Sequence, residues 1–363
     1  HELEPAMPVT EAQVLQQLRK VNDPELHRDL VTLGMIKKVA ICEGLVRVDV
    51  ELTTPACPLK DQIEKDVKAA VHAIGDDVQQ VEVQFSAQVR KTPQQTASAN
   101  NPLPNVKHII AVGAGKGGVG KSTIAVNVAV GLAKLGAKVG LMDGDIYGPS
   151  VPTMLGLGGM ELRAAGDGKI APFEVSGIKT VTIGSMVEPE KPLIWRGPMA
   201  HGAFRDLVTR TAWGELDYLI IDLPPGTGDV PLTMSQLLPL TGAVVVCTPQ
   251  KVAQDDARRA VRMFQQLSVD VLGVVENMSY FIGDDGKEYD LFGRGGAEMM
   301  AQQMGVPYLG GVPINMALRK NCDAGTPLAN FDDPKLGGEL MVVVKNLGGQ
   351  ISVKAMAGNT GPT

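Results

Sequence analysis

Along the first ninety residues, apolar positions follow two periods. Val14, Leu15, Leu18 and Val21 recur at helical spacing behind Thr10, which with Glu11 after it reads as a helix cap. Val46, Val48, Val50 and Leu52 alternate with Arg47, Asp49 and Glu51, the pattern of a half-buried strand. Ile63, Val67, Ala70, Val71 and Ile74 form a helical stripe, and Val81, Val83 and Phe85 alternate with Glu82 and Gln84 in a further strand. These elements predict a small α+β domain. Beyond residue 105 the pattern changes to short, uninterrupted apolar runs at 109–112, 139–142, 218–221, 243–247 and 271–275, with helical segments such as 124–135, or loops, between them. Buried strands alternating with helices predict an α/β domain, a parallel sheet with helices on both faces. Ligands of such sheets sit beyond the carboxyl ends of the strands.

Residues 92–105 are polar, carry no charge and contain three prolines, the composition of a linker. The expected organisation is therefore a domain at 8–91, a linker at 92–105, a domain at 106–354 and a frayed tail at 355–363. The chain has 363 residues, 44% hydrophobic and 20% charged, enough for two cored domains. Its net charge of −6 leads us to expect neither nucleic acid nor membrane as a partner. No apolar stretch approaches the ~20 residues of a membrane helix, and no signal-peptide pattern opens the chain, so a cytoplasmic setting is expected. Four cysteines, at 42, 57, 247 and 322, are too few and too scattered for a disulfide scaffold. With 42 glycines and 4% aromatics, the composition favours backbone-lined phosphate loops over base-stacking platforms.

The strongest local signal is Gly115-Lys116-Gly117-Gly118-Val119-Gly120-Lys121-Ser122-Thr123. It fits G-x-x-x-x-G-K-[ST], follows a predicted strand and opens a predicted helix. The glycines let backbone N–H groups converge on phosphate oxygens at a helix N-terminus. Lys121 is expected at the β- and γ-phosphates and the Ser122 hydroxyl on Mg²⁺. Lys116 has two readings, a solvated surface lysine or a cation lent across a dimer to a second nucleotide. Asp143 and Asp145 end the run through Met142, and Asp222 ends the run through Ile221. An aspartate at a strand tip beside a phosphate loop suits a Mg²⁺ partner, although turns and caps also favour it. Asp222 takes that role here, and Asp145 is the candidate for positioning water, although composition does not separate it from Asp143. The segment Leu223-Pro-Pro-Gly-Thr-Gly-Asp229 reads as a switch with mobile joints.

With two lysines in its phosphate loop, the chain resembles the deviant Walker A class of ParA, MinD and the nitrogenase iron protein. Within that class it is similar to the Mrp/ApbC iron–sulfur cluster carrier ATPases. The matching stretches are Asp143-Gly-Asp-Ile-Tyr-Gly-Pro-Ser150, Trp195-Arg-Gly-Pro-Met199, 217–229, Thr248-Pro-Gln250, Asn277-Met-Ser-Tyr-Phe281 and Leu291-Phe-Gly293. The small domain resembles a SufT-like iron–sulfur assembly domain at Asp23-Pro-Glu25, Leu33-Gly34 and Thr54-Pro-Ala-Cys-Pro58. The resemblance implies an ATP-hydrolysing homodimer that sandwiches two nucleotides. Lys116 would contact the partner's nucleotide, Asp145 would orient water, Ser122 and Asp222 would hold Mg²⁺, and Asn277 would read the adenine edge. It also implies an iron–sulfur cluster passed to acceptor apoproteins. Members usually carry Cys-x-x-Cys just after the Asn-Met-Ser segment. Here 281–287 is Phe-Ile-Gly-Asp-Asp-Gly-Lys, which reads as a surface turn without thiolates.

The family match leaves Cys57 as the candidate cluster or thiol ligand, with a bland buried cysteine as the alternative. Cys42 and Cys247 are expected in the core and Cys322 in a loop. Met299, Met300 and Met304 are expected to fill core gaps, and His27, His72, His108 and His201 have no partner at metal spacing. Two other functions fit the motifs: a ParA/MinD-like spatial regulator, and a clusterless ATPase module with a regulatory role.

Overall fold

The computed structural model describes residues 9–42, 44–91, 101–145, 148–186, 197–226, 228–283 and 285–357. Most of the expected linker (92–100), the end of the expected tail (358–363) and Ile146, Tyr147, Trp195, Arg196, Thr227 and Asp284 lie outside the described residues. The chain divides into a small unit, 1–90 with 352–363, and a large unit, 91–351.

The small unit runs α1 (Glu11–Leu18), β1 (Asn22–Asp23), β2 (Arg28–Asp29), β3 (Ile36–Cys42), β4 (Leu45–Leu52), α2 (Lys60–His72) and β5 (Gln80–Ala87). Thr10 caps α1 in a reciprocal capping box, and its partner is Gln13 rather than Glu11. The sheet order is β3-β4-β5, with β3 antiparallel and β5 parallel to β4. The parallel pair needs a crossover, and α2 supplies it. Val46, Val48, Val50 and Leu52 face Val14, Leu18, Ile63, Val67 and Val71 in one core. Strand β3 carries no fully buried position, so its periodicity was too weak to predict it. Cys42 lies at its exposed end, a correction to the core position expected for it. The tail expectation is corrected at 355–357 only, residues 358–363 lying outside the described residues. Helix continues to Ala357, Ala355 is buried, and Met356 packs on the small unit's apolar cluster. Residues 352–354 group with that unit too, although the sequence pattern assigns them to the larger domain.

The large unit continues with β6 (Val106–Gly113), α3 (Lys121–Lys134), β7 (Val139–Asp143), α4 (Val151–Met154), β8 (Arg163–Gly166), β9 (Lys169–Ala171), β10 (Phe173–Val175) and β11 (Ile178–Thr182). A 3-10 turn at Ile183–Met186 follows. Next come α5 (Gly197–Arg210), β12 (Leu216–Asp222), α6 (Asp229–Leu237), β13 (Gly242–Cys247), α7 (Lys251–Gln266), β14 (Val271–Ile282) and β15 (Glu288–Tyr289). The chain continues with α8 (Gly296–Met304), β16 (Tyr308–Ile314), α9 (Met316–Asp323), a 3-10 turn at Pro327–Phe331, and α10 (Pro334–Ala357), which belongs to the large unit as far as residue 351.

Among the described residues nine strands form one sheet, ordered β10-β11-β7-β12-β6-β13-β14, with β15 and β16 both on β14. Only the β10 and β15 pairings are antiparallel. Side chains of β6 alternate between two buried faces. Ile109 and Ala111 pack with Phe204, Met234 and Phe264, while Ile110 and Val112, equally buried, point the other way. Both faces being covered explains why these strands read as unbroken apolar runs. The chain leaves β6 for β7 on one side and reaches β13 on the other, so a crevice opens at the carboxyl end of β6.

Leu103, within the expected linker, is buried in the large unit's core. Cys247 is buried as expected, and burial first and the Glu276 charge second push its thiol up to about 12. Cys322 is corrected from loop to helix: it is buried on α9, where burial pushes its thiol up. Met300 fills the core, whereas Met299 is exposed. No helix among the described residues is long and apolar enough to cross a membrane.

Candidate nucleotide-binding site

The expected phosphate loop spans the end of β6 and the start of α3. Two of its glycines are demanded by the chain itself. A Cβ on Gly115 would lie 2.1 Å from the Asp256 carbonyl oxygen of α7. Gly120 has φ +81°, and a Cβ there would lie 2.1 Å from Asn277 Nδ2. Asn277 Nδ2 donates to the Val119 carbonyl at 2.9 Å, so the expected adenine reader also braces the loop from beneath. A bulge in β14 presents it: Met278 sits at φ 57°, and the register with β16 slips between Asn277 and Phe281. Its neighbour Glu276, which sequence reasoning missed, is fully buried and accepts from Ser279 Oγ and from the N–H groups of Gly295 and Ala297 at the start of α8. Gly117 and Gly118 are exposed. Helix α3 begins on Gly120 without a side-chain cap, so its first-turn N–H groups have no side-chain acceptor.

The structure brings Lys121, Ser122, Asp145 and Asp222 together. Lys121 Nζ is 2.6 Å from Asp222 Oδ1, 3.4 Å from Asp145 Oδ2 and 3.2 Å from Ser122 Oγ, and its side chain is 6% exposed. Asp222 and Asp143 are register partners on adjacent strands, and Gly144 N–H donates to the Asp222 carbonyl at 2.8 Å. The two aspartates that sequence could not separate now differ in role. Asp143 Oδ1 accepts the Asp145 N–H at 3.1 Å and its Oδ2 accepts the Thr182 hydroxyl at 2.9 Å. Asp145 instead turns its carboxylate to Lys121.

Three carboxylates around one ammonium leave an excess of buried negative charge. Burial, and then the charge of Asp222, raises the Asp143 carboxyl from 3.8 to about 7. Burial raises Asp222 as well, against the opposing charge of Lys121 and a hydrogen bond from Ser122. Asp222 Oδ2 is buried without a hydrogen-bond partner. An orphaned carboxylate oxygen beside a hydroxyl, in an all-oxygen donor set with surplus negative charge, fits Mg²⁺. Lys116 is half-buried and has no ion pair among the described residues.

The family model of NUBPL iron-transfer P-loop NTPases (ParA) matches residues 105–347. The chain belongs to this family. An iron–sulfur cluster assembly protein model matches residues 11–83 of the small unit. The iron–sulfur cluster carrier protein of Deinococcus radiodurans is 49% identical over 346 residues, covering 95% of this chain and 96% of that protein. The carrier of the same name from Synechocystis is 48% identical over 350 residues, covering 94% and 98%. A nucleotide-binding protein from Archaeoglobus fulgidus, solved in complex with ADP, is 40% identical with a TM-score of 0.56, covering 62% of this chain and 90% of its own.

In this member of the iron-transfer NTPases the expected surface turn after β14 is present. Gly283 N–H donates to the Lys287 carbonyl and Gly286 N–H to the Gly283 carbonyl, both at 2.9 Å. Beyond the turn, Glu288 pairs with Arg294 and Lys335, and the Arg294 guanidinium lies 4.1 Å from the centre of the Tyr280 ring. Cys57 is half-buried against the small unit's apolar cluster. Among the described residues no three His, Cys, Asp or Glu converge to hold a metal ion.

Two outcomes are expected. Lys121→Ala should weaken Mg·ADP binding about 10- to 100-fold by calorimetry, the loss of a charge-assisted contact, and wild-type affinity would discredit the loop. Asp143 binds its proton more tightly folded than unfolded. The stability it contributes is therefore present at low pH and lost as pH rises from about 4 through about 7. In nucleotide-free protein, denaturant titrations should show that loss, at most about 1.4 kcal/mol per pH unit. Asp143→Asn should flatten it, and an unchanged slope would refute the assignment.

Proposed function

We propose that the chain is an ATP-hydrolysing iron–sulfur cluster carrier that works as a homodimer and delivers clusters to acceptor apoproteins in the cytoplasm. The observation that carries this is the buried Lys121–Asp222–Asp145 constellation at the mouth of a phosphate loop, in a chain whose two parts match iron-transfer and iron–sulfur assembly families.

On ATP binding, the N–H groups of 115–123 take the phosphate oxygens, and Lys121 exchanges Asp222 for a β- or γ-phosphate oxygen. Asp222 and the Ser122 hydroxyl are then free to hold Mg²⁺, which when bound neutralises phosphate charge. Asp145, fixed at the strand tip, accepts a hydrogen bond from the attacking water and aims it at the γ-phosphorus. The new P–O bond forms as the bond to the β,γ-bridging oxygen breaks, ADP leaves, and the water's proton ends on the released phosphate. Lys116 has no ion pair among the described residues and lies beside the exposed Gly117 and Gly118. We assign it to the nucleotide of a second copy, where it stabilises charge on the leaving phosphates. The adenine contact expected of Asn277 belongs to the same proposal.

The cluster is cargo. Cys247 and Cys322 are buried with raised thiols and make poor ligands. Cys57 keeps partial access and lies in the stretch that resembles the assembly domain. We assign it as a ligand, with the others supplied by a second copy or the acceptor.

Lys116→Ala should keep Mg·ADP affinity while lowering ATP turnover about 10³-fold or more, as removal of a trans-acting cation does; unchanged turnover removes the cross-dimer role. Anaerobic reconstitution of Cys57→Ala should leave less bound iron and sulfide than wild type, with a weaker visible absorbance. Equal content would rule out Cys57 as a ligand.

A further inference from the structure

Thr182 belongs to none of the motifs that identify the site, yet it ends β11 as the register partner of Asp143. It is fully buried. Its hydroxyl donates to Asp143 Oδ2 at 2.9 Å and accepts the Gly184 N–H at 3.1 Å, in the 3-10 turn that follows. The other oxygen of Asp143 holds the backbone N–H of Asp145. A continuous hydrogen-bonded path therefore runs from Gly184 through Thr182 and Asp143 to the main chain of Asp145, and each link is buried or partly buried.

Asp143 itself is fully buried, and both its oxygens are engaged with the protein. It acts as a bracket. One arm sets where the peptide of Asp145 lies, and the other is held by Thr182. Without the hydroxyl, the Asp143 carboxylate would lose the donor on its Oδ2. Facing Asp222 across the strands, it would be free to rotate about its side-chain torsions. The peptide of Asp145 would then lose a fixed acceptor, and the Asp145 carboxylate its fixed aim.

We propose that Thr182 is a positioning residue for ATP hydrolysis, holding Asp143 so that Asp143 fixes Asp145 for the attacking water. This rests on the assignment of Asp145 as the residue that orients water. It predicts an effect on the chemical step and not on nucleotide affinity, because among the described residues the Thr182 hydroxyl bonds to Asp143 and Gly184 and not to the loop or Lys121.

The test uses the full chain and compares Thr182→Val, Thr182→Ala, Thr182→Ser, Asp145→Asn and the double variant Thr182→Val/Asp145→Asn. Each is measured for ATP turnover and for Mg·ADP affinity. Thr182→Val should lower kcat about 10- to 100-fold, the range for loss of an orienting contact, with affinity within about twofold of wild type. Thr182→Ser, which keeps the donor, should restore most of the turnover. In the double variant Thr182→Val should add nothing to Asp145→Asn, since both act on one step. Wild-type kcat in Thr182→Val beside a slow Asp145→Asn would overturn the role of Thr182 alone. Additive losses would overturn it too, by showing an independent action. If both Thr182→Val and Thr182→Ala lose nucleotide binding along with turnover, Thr182 is a structural residue and the proposal fails. Wild-type turnover in Asp145→Asn would instead overturn the assignment of Asp145 to the water.

Discussion

A single buried ammonium group governs this molecule. Lys121 sits at the amino end of α3 with almost no access to water, 2.6 Å from Asp222 and 3.4 Å from Asp145. Removing one partner of a buried pair leaves an uncompensated charge and costs about 3–5 kcal/mol. The pair is nonetheless incomplete, because Asp143 and Asp222 stand on neighbouring strand tips and a lone ammonium cannot neutralise both. The strands that form the core therefore deliver to their carboxyl ends an electrostatic deficit that a cation and a polyphosphate together would balance. Under the proposed function, folding stability and nucleotide affinity would draw on the same four side chains.

The surrounding architecture holds those groups still. Helix α7 presses its Asp256 carbonyl against Gly115 from one direction, and Asn277 grips the Val119 carbonyl from another. Adjacent strand residues point to opposite sides, so while Asn277 serves the loop, Glu276 turns away to anchor the start of α8 with both carboxylate oxygens. Two consecutive polar residues in the middle of a buried sheet are tolerated because each is hydrogen-bonded. The bulge at Met278 lets one strand serve two such tasks.

Much of this was legible in the sequence, for identifiable reasons. The five apolar runs of the large unit coincide with β6, β7, β12, β13 and the first half of β14, because strands buried on both faces need apolar residues at every position. Lys121, Ser122 and Asp222 could be picked out because the loop has a fixed spacing and an aspartate ends a neighbouring apolar run, whereas Asp143 and Asp145 were told apart only by their hydrogen bonds in the structure. What escaped was whatever depends on a non-local partner. Strand β11 reads Ile-Lys-Thr-Val-Thr, too polar to predict as buried, yet both its threonines are fully enclosed because neighbouring β7 offers them acceptors at the Leu141 carbonyl and Asp143. Cys42 and Cys322 were misplaced for the converse reason. An apolar neighbourhood in sequence does not say which way a strand residue points, and a polar one does not exclude a buried helical face.

The glycines of the phosphate loop divide by what enforces them. At 115 and 120 the constraint is internal, for the protein's own atoms already occupy the place a methyl group would take. Gly118 needs its left-handed backbone, φ +80°, but has open space before it. Gly117 has neither reason: its closest neighbour is Pro225 at 3.9 Å, ordinary contact distance. Nothing among the described residues forbids alanine there. A methyl group at 115 or 120 would displace the protein's own atoms, one at 118 would strain the backbone, and one at 117 would do neither, so packing and backbone geometry are separable constraints along one short turn.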